Sequence, residues 1–174
     1  VRYASLFVIA CEGANTEPKY FKDFRQAYFI EKHPGIHVEV LAKEDDSLSA
    51  PQQVLDLADR FKKTYQLKPS DKLWVVIDRD KQSWEEQTME AIAKQCHQKE
   101  ILLAVSNPCF ELWLLLHHKS IESLNENFQE KLLNNNKVNQ NKTFIQKYLE
   151  EVVGRYNPRN LATKDFLKNI KKAV

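Results

Sequence analysis

Leu73-Trp74-Val75-Val76-Ile77 is apolar throughout and runs directly into Asp78-Arg79-Asp80. A strand with no polar alternation has no face to give to water, so it belongs in the middle of a sheet covered on both sides. That single requirement points to a parallel sheet flanked by helices. Three more strands fit it: Ala4 to Ala10, the alternating Ile36 to Leu41, and Ile101 to Val105. Helices are expected between them. The first starts at Thr16-Glu17-Pro18, with Thr16 as cap and Pro18 in the first turn. It carries Tyr20, Phe21, Phe24, Ala27 and Tyr28 at helical spacing and ends at Pro34-Gly35. The second runs from Pro51 to Leu67 with Val54, Leu55, Ala58, Phe61 and Tyr65 inward, and the third from Ser83 to Lys99. The stretch Lys43 to Ser49 reads as a loop.

After the fourth strand, Asn107-Pro108 reads as a helix cap followed by a first-turn proline. Ile121 to Leu133, Thr143 to Val153 and Pro158 to Ala173 are expected to be helical, with an asparagine-rich loop from Asn134 to Asn141. Strand and helix therefore alternate β-α-β-α-β-α-β before the chain turns all-helical, which implies right-handed crossovers in a Rossmann-like, mostly parallel sheet of four strands. At 174 residues the chain is expected to be one domain. Its α/β core spans residues 1–119, and residues 120–174 are extra C-terminal helices packed on the same domain. Opening on Val1 and closing in the basic run Lys168-Asn169-Ile170-Lys171-Lys172, the chain reads as an ordered fragment of a longer one.

Composition excludes several functions. The only glycines are Gly13, Gly35 and Gly154, so neither a Walker loop nor a dinucleotide fingerprint can be built. A formal charge of +2 is too mild to argue for nucleic acid unaided. Cys11, Cys96 and Cys109 are scattered, without a CxxC pair, and read as reduced, buried thiols of a cytoplasmic protein. No apolar stretch approaches about 18 residues, so no membrane span is expected.

Ligands of such sheets bind outside the carboxyl ends of the strands, where strand order reverses. If the first strand lies between the second and third, that point falls between strands ending in Glu12-Gly13 and in Asp78-Arg79-Asp80. Asp78 and Asp80 are two residues apart, so in an extended segment both carboxylates face one way. Two carboxylates and a substrate phosphate suit Mg²⁺, which takes oxygen ligands and keeps several waters. Arg79 then points toward a phosphate or into a salt bridge. Glu12 is the candidate general acid or base, and Gly13 permits the tight turn after it. A surface turn capped by Glu12, and an ordinary solvated acidic turn at Asp78-Arg79-Asp80, are the plain alternatives.

A third group follows the fourth strand: Ser106-Asn107-Pro108-Cys109-Phe110-Glu111-Leu112-Trp113. Asn107 and Glu111 are expected to share a helix face. Glu111, embedded among apolar residues, is either a metal ligand or orienter at the site or half of a buried ion pair. His117 and His118 read as helix-end residues favourable to the dipole rather than as ligands. Thr16, Ser106 and Asn107 complete the supporting, phosphate-contacting set with Gly13 and Arg79. Lys137, Lys142, Lys147, Arg155, Arg159, Lys164, Lys168, Lys171 and Lys172 are either nucleic-acid backbone contacts or solvated helix faces.

The Glu-Gly motif after strand one and the Asp-x-Asp motif after strand three resemble the Toprim domain of topoisomerases, primases and several nucleases. More specifically, Cys11 to Phe21, Asp78-Arg79-Asp80 and Ser106 to His117 resemble the RloB family, which is linked to restriction and abortive-infection loci in bacteria and archaea. The resemblance spans residues 4 to about 118. It implies a Toprim-like fold and Mg²⁺- or Mn²⁺-dependent cleavage of nucleic-acid phosphodiesters in anti-phage defence, with Glu12 as general acid/base and Asp78 and Asp80 on the metal. Glu111 matches its F-E-x-W motif, and Asn15 departs from the basic residue expected near that turn. A partner ATPase is also implied, and any ATP hydrolysis would come from it. The alternative is a non-catalytic sensor that binds a nucleotide or nucleic acid for that ATPase. Whether the nucleic acid is DNA or RNA, and whether the chain forms a homo-oligomer, the residues leave open.

Overall fold

Four apolar segments form one parallel sheet in the computed structural model, which describes residues 4–30, 33, 35–42, 50–79 and 86–174. They are β1 (Ser5–Cys11), β2 (Ile36–Leu41), β3 (Lys72–Asp78) and β4 (Leu102–Ser106), in the spatial order β2-β1-β3-β4. β1 is central, with Phe7 in register with Val38 on one side and Lys72 on the other. Strand order thus reverses between β1 and β3, as the sequence requires for a switch point there.

Helices α1 (Thr16–Arg25), α2 (Pro51–Thr64) and α3 (Glu86–Gln98) cover the sheet. Alternate residues of β1 serve different layers, because successive side chains of a strand point to opposite faces. Val8 and Ala10 join Val54, Leu55, Ala58, Leu73, Val75, Ile77, Ile92 and Cys96 in one buried cluster. Cys11 joins Val38 and Val40 in a second, against which Phe7, Ile9, Phe21 and Phe29 pack. Each fully buried Leu or Val contributes about 1.5–3 kcal/mol. The two layers explain why β1 and β3 lack the polar alternation of β2.

The chain divides into two compact units, Val1–Ile77 with Trp84–Val105, and Asp78–Ser83 with Ser106–Val174. The first contains nearly all of the sheet. The second is helical: α4 (Phe110–Leu116), α5 (Glu126–Asn134), α6 (Phe144–Val153), α7 (Thr163–Leu167) and α8 (Ile170–Ala173). Phe110, Leu114, Leu115, Leu132, Ile145, Leu149, Phe166 and Leu167 make its buried core. Packing of α4 against α6 and α8 brings the Phe110–Leu116 segment into the middle of this unit. Among the described residues no helix is long and apolar enough to cross a membrane.

Several local expectations are overturned. Thr16 is not the cap of α1: Asn15 flanks the helix, and Thr16 is its first, buried residue. After Arg25 the helix widens into a π-helical turn, Gln26–Ile30, which rotates the following side chains. Ala27 consequently faces solvent, and Phe29 packs on the core instead. Helix α2 stops at Thr64, so Tyr65 is 56% exposed and stacks on Phe61 at 4.3 Å rather than pointing inward. Pro158 to Ala173 is not one helix but a turn and two short helices, α7 and α8. Lys43 to Ser49 and Asp80 to Glu85 lie outside the described residues.

Candidate functional site

Glu12 follows β1 directly, and its N–H donates to the Val76 carbonyl at 3.0 Å, so the β1–β3 ladder reaches it. Its side chain is only 8% exposed. A Cβ on Gly13 would lie 2.3 Å from the Glu17 carboxylate, so the end of that side chain would have to move aside. Glu17, also 8% exposed, brings a second buried carboxylate to the turn that links β1 to α1. Burial pushes the neighbouring Cys11 thiol far above its ordinary range; the Glu17 charge adds to this and Lys22 opposes it. Sequence reasoning passed over Glu17, because a Glu in the first turn reads simply as favourable to the helix dipole.

In the second unit, Asp78 is the half-buried last residue of β3, and Arg79 N–H donates to the Ser106 carbonyl at 2.7 Å. Asp80 lies outside the described residues. The Asn107-Pro108 bond is cis, and Cys109 is extended (φ −155°, ψ 166°) as the residue flanking α4. The helix therefore begins at Phe110, and exposed Asn107 neither caps it nor shares a helix face with Glu111. Pro after Asn signals a helix start in sequence, but here the chain needs two more residues to turn into one.

Glu111 is 8% exposed, and neutral groups hold it. Its Oε1 accepts from Tyr156 Oη at 2.8 Å and from Gln146 Nε2 at 2.9 Å. Among the described residues no cation pairs with it. A buried carboxylate with only neutral donors retains a net charge that a divalent cation would offset. The Cys109 thiol is raised by burial, then by the charges of Glu111 and Asp78 and by a hydrogen bond with the Glu111 side chain, against the Glu111 backbone. Asn135 Nδ2 lies 3.5 Å from Cys109 Sγ. Carboxylate oxygens are the donor type that Mg²⁺ takes; among the described residues no group of three His, Cys, Asp or Glu side chains able to hold a metal occurs.

His117 is fully buried, and its Nδ1 donates to the Trp113 carbonyl at 2.9 Å. Burial holds its pKa below the ordinary range, with His118 adding to the effect against the pull of the Trp113 and Leu114 carbonyls. His118 is lowered by burial, then by Lys168 and Lys172, opposed by Asp165. Helix-dipole stabilisation requires a charged ring, so burial rather than the dipole governs both. Of the basic residues, Lys142, Lys147 and Lys168 pair with Glu150, Glu151 and Asp165.

The fold is that of an α/β protein with a four-stranded parallel sheet flanked by helices. Its sequence matches the family model described as RloB-like protein over residues 7–174, nearly the whole chain. The chain belongs to the RloB-like family. Neither the curated proteins nor the solved structures contain a match.

Proposed function

We propose that this chain is a divalent-metal-dependent, Toprim-like nuclease that cleaves nucleic-acid phosphodiesters. The observation that carries the reading is the sheet order, which makes β1 and β3 parallel neighbours at the reversal point, with Glu12 following one and Asp78 closing the other. In this reading Asp78 and Asp80 hold Mg²⁺ or Mn²⁺, and Glu111 adds a third carboxylate. When bound, the cation would offset charge on the phosphate and orient a water. Glu12 would take the proton from that water or deliver one to the leaving oxygen. Burial of Glu12 keeps bulk water from competing for that proton. Gly13 and Thr16 would shape the turn beneath the phosphate, and Arg79, with Ser106 and Asn107, would contact it.

A role in anti-phage defence, in the cytoplasm and beside a partner ATPase, extends the same proposal and rests on the family resemblance alone. The test is incubation of the purified protein with tRNA, single-stranded DNA and duplex DNA, with Mg²⁺, Mn²⁺ or EDTA. The expected result is cleavage of one substrate class that needs the metal and is lost in Glu12→Ala and Asp78→Asn. Cleavage that survives both substitutions would overturn the proposal. Binding without any product would establish the sensor in its place.

A further inference from the structure

Glu111 is held by residues that arrive from 35 and 45 positions further along the chain. Both donors converge on the same oxygen, Oε1. A carboxylate oxygen offers about two lone-pair sites, so these donors fill Oε1; the Cys109 thiol also hydrogen-bonds this carboxylate, and the remaining coordination capacity lies on Oε2.

The geometry that delivers these donors is itself constrained. Gln146 is the third residue of α6 and belongs to a capping box with Thr143. Its Oε1 accepts from Thr143 N–H at 3.2 Å, which commits the amide oxygen to the helix start and turns Nε2 toward Glu111. Asn135 anchors the same turn: its Oδ1 accepts from Ile145 N–H at 3.0 Å while its Nδ2 faces Cys109 Sγ. At the other end of α6, Gly154 adopts φ +81°, a conformation that L side chains rarely take, and the chain reverses toward Tyr156. Tyr156 is buried with its hydroxyl on Glu111.

We propose that Gln146 and Tyr156 are positioning residues for the metal site: by occupying Oε1 of Glu111 they present Oε2 as the single oxygen offered to a divalent cation. The helices of the second unit thereby become part of the site. This rests on the reading of Glu111 as a metal carboxylate. Outer-shell partners of ligating carboxylates typically control affinity by about 10–100-fold.

The experiment is titration of the whole protein with Mn²⁺, followed by calorimetry and by loss of the free-ion electron paramagnetic signal, alongside thermal melting of each metal-free variant. Tyr156→Phe and Gln146→Met should each weaken Mn²⁺ binding by about 10–100-fold. Thr143→Ala removes the other half of the capping box and leaves the Gln146 amide on Glu111, so it should lower the melting temperature and spare the affinity. Wild-type affinity in both Tyr156→Phe and Gln146→Met would overturn the proposal. So would an affinity that falls in Thr143→Ala in step with its melting temperature, since the role would then be structural. Absence of Mn²⁺ binding in the wild type, or binding unchanged by Asp78→Asn, would remove the metal reading itself and the positioning role with it.

Discussion

Glu12 and Glu111 are equally buried, at 8% exposure each, yet they reach that state by opposite routes. Glu12 is placed locally. Its backbone continues the β1–β3 ladder, and the next five residues provide both the glycine and the second carboxylate, Glu17, that crowd its turn. Glu111 is placed from a distance, by an amide on α6 and a phenol just beyond that helix. One acidic residue is a property of a motif, and the other is a property of a folded helical unit. Substitutions near Glu12 should therefore disturb a turn, whereas those around Glu111 should disturb the C-terminal half.

The largest expected effect lies on the locally placed side. Glu12→Gln should reduce metal-dependent cleavage by about 10²–10⁴-fold, the usual contribution of a positioned acid or base. Single-turnover rates measure it directly, and a loss under tenfold would remove Glu12 from proton transfer. On the remote side, Glu111→Ala strands the buried Tyr156 hydroxyl and the half-buried Gln146 amide and should lower stability by about 1–3 kcal/mol. Urea denaturation at neutral pH reads that loss. An unchanged midpoint would show that Gln146 and Tyr156 do not depend on their acceptor.

Gly13→Ala sharpens the contrast from the other direction. The added Cβ would collide with the Glu17 carboxylate, the far end of a flexible side chain that can swing aside, so a cost below about 1 kcal/mol is expected. Glu17→Ala in the same chain should recover most of it, and additive losses in the double variant would refute the crowding account. A smaller effect concerns pH. Burial favours neutral His117, so its folded pKa lies below the unfolded value of about 6.5. Its contribution is complete above that value and is lost as pH falls beneath it, where the unfolded chain binds more protons. Stability should fall between about pH 6.5 and 5, and His117→Gln should flatten the slope in denaturation midpoints taken across that range. Smallest of all, Lys147→Ala breaks a well-exposed pair with Glu151 and should stay within about 0.5 kcal/mol of wild type.

The same contrast explains what could be read from residues alone. The sheet was legible because Leu73 to Ile77 and Leu6 to Ala10 carry their burial in their own composition, and the order β2-β1-β3-β4 meets the condition, the first strand between the second and third, that the sequence left open. Glu12 and Asp78 were legible as strand-end residues for the same reason. The π-helical turn at Gln26–Ile30 was not, since helical periodicity continues through Tyr28 in the sequence. Asn107-Pro108 misled because its local signal for a helix start is sound, while the start itself lies at Phe110. Gln146 and Tyr156 carried no signal: nothing in positions 111, 146 and 156 couples them until the helices have packed. The family match over residues 7–174 extends well beyond the motifs.

The central claim, that the carboxylates serve a divalent cation, is tested most directly by crystals grown with Mn²⁺ and measured at the manganese absorption edge. The account predicts an anomalous peak within coordinating distance of the Asp78 carboxylate, absent in crystals of Asp78→Asn. A map at saturating Mn²⁺ with no peak at Asp78, or with a peak that persists in the variant, would contradict it.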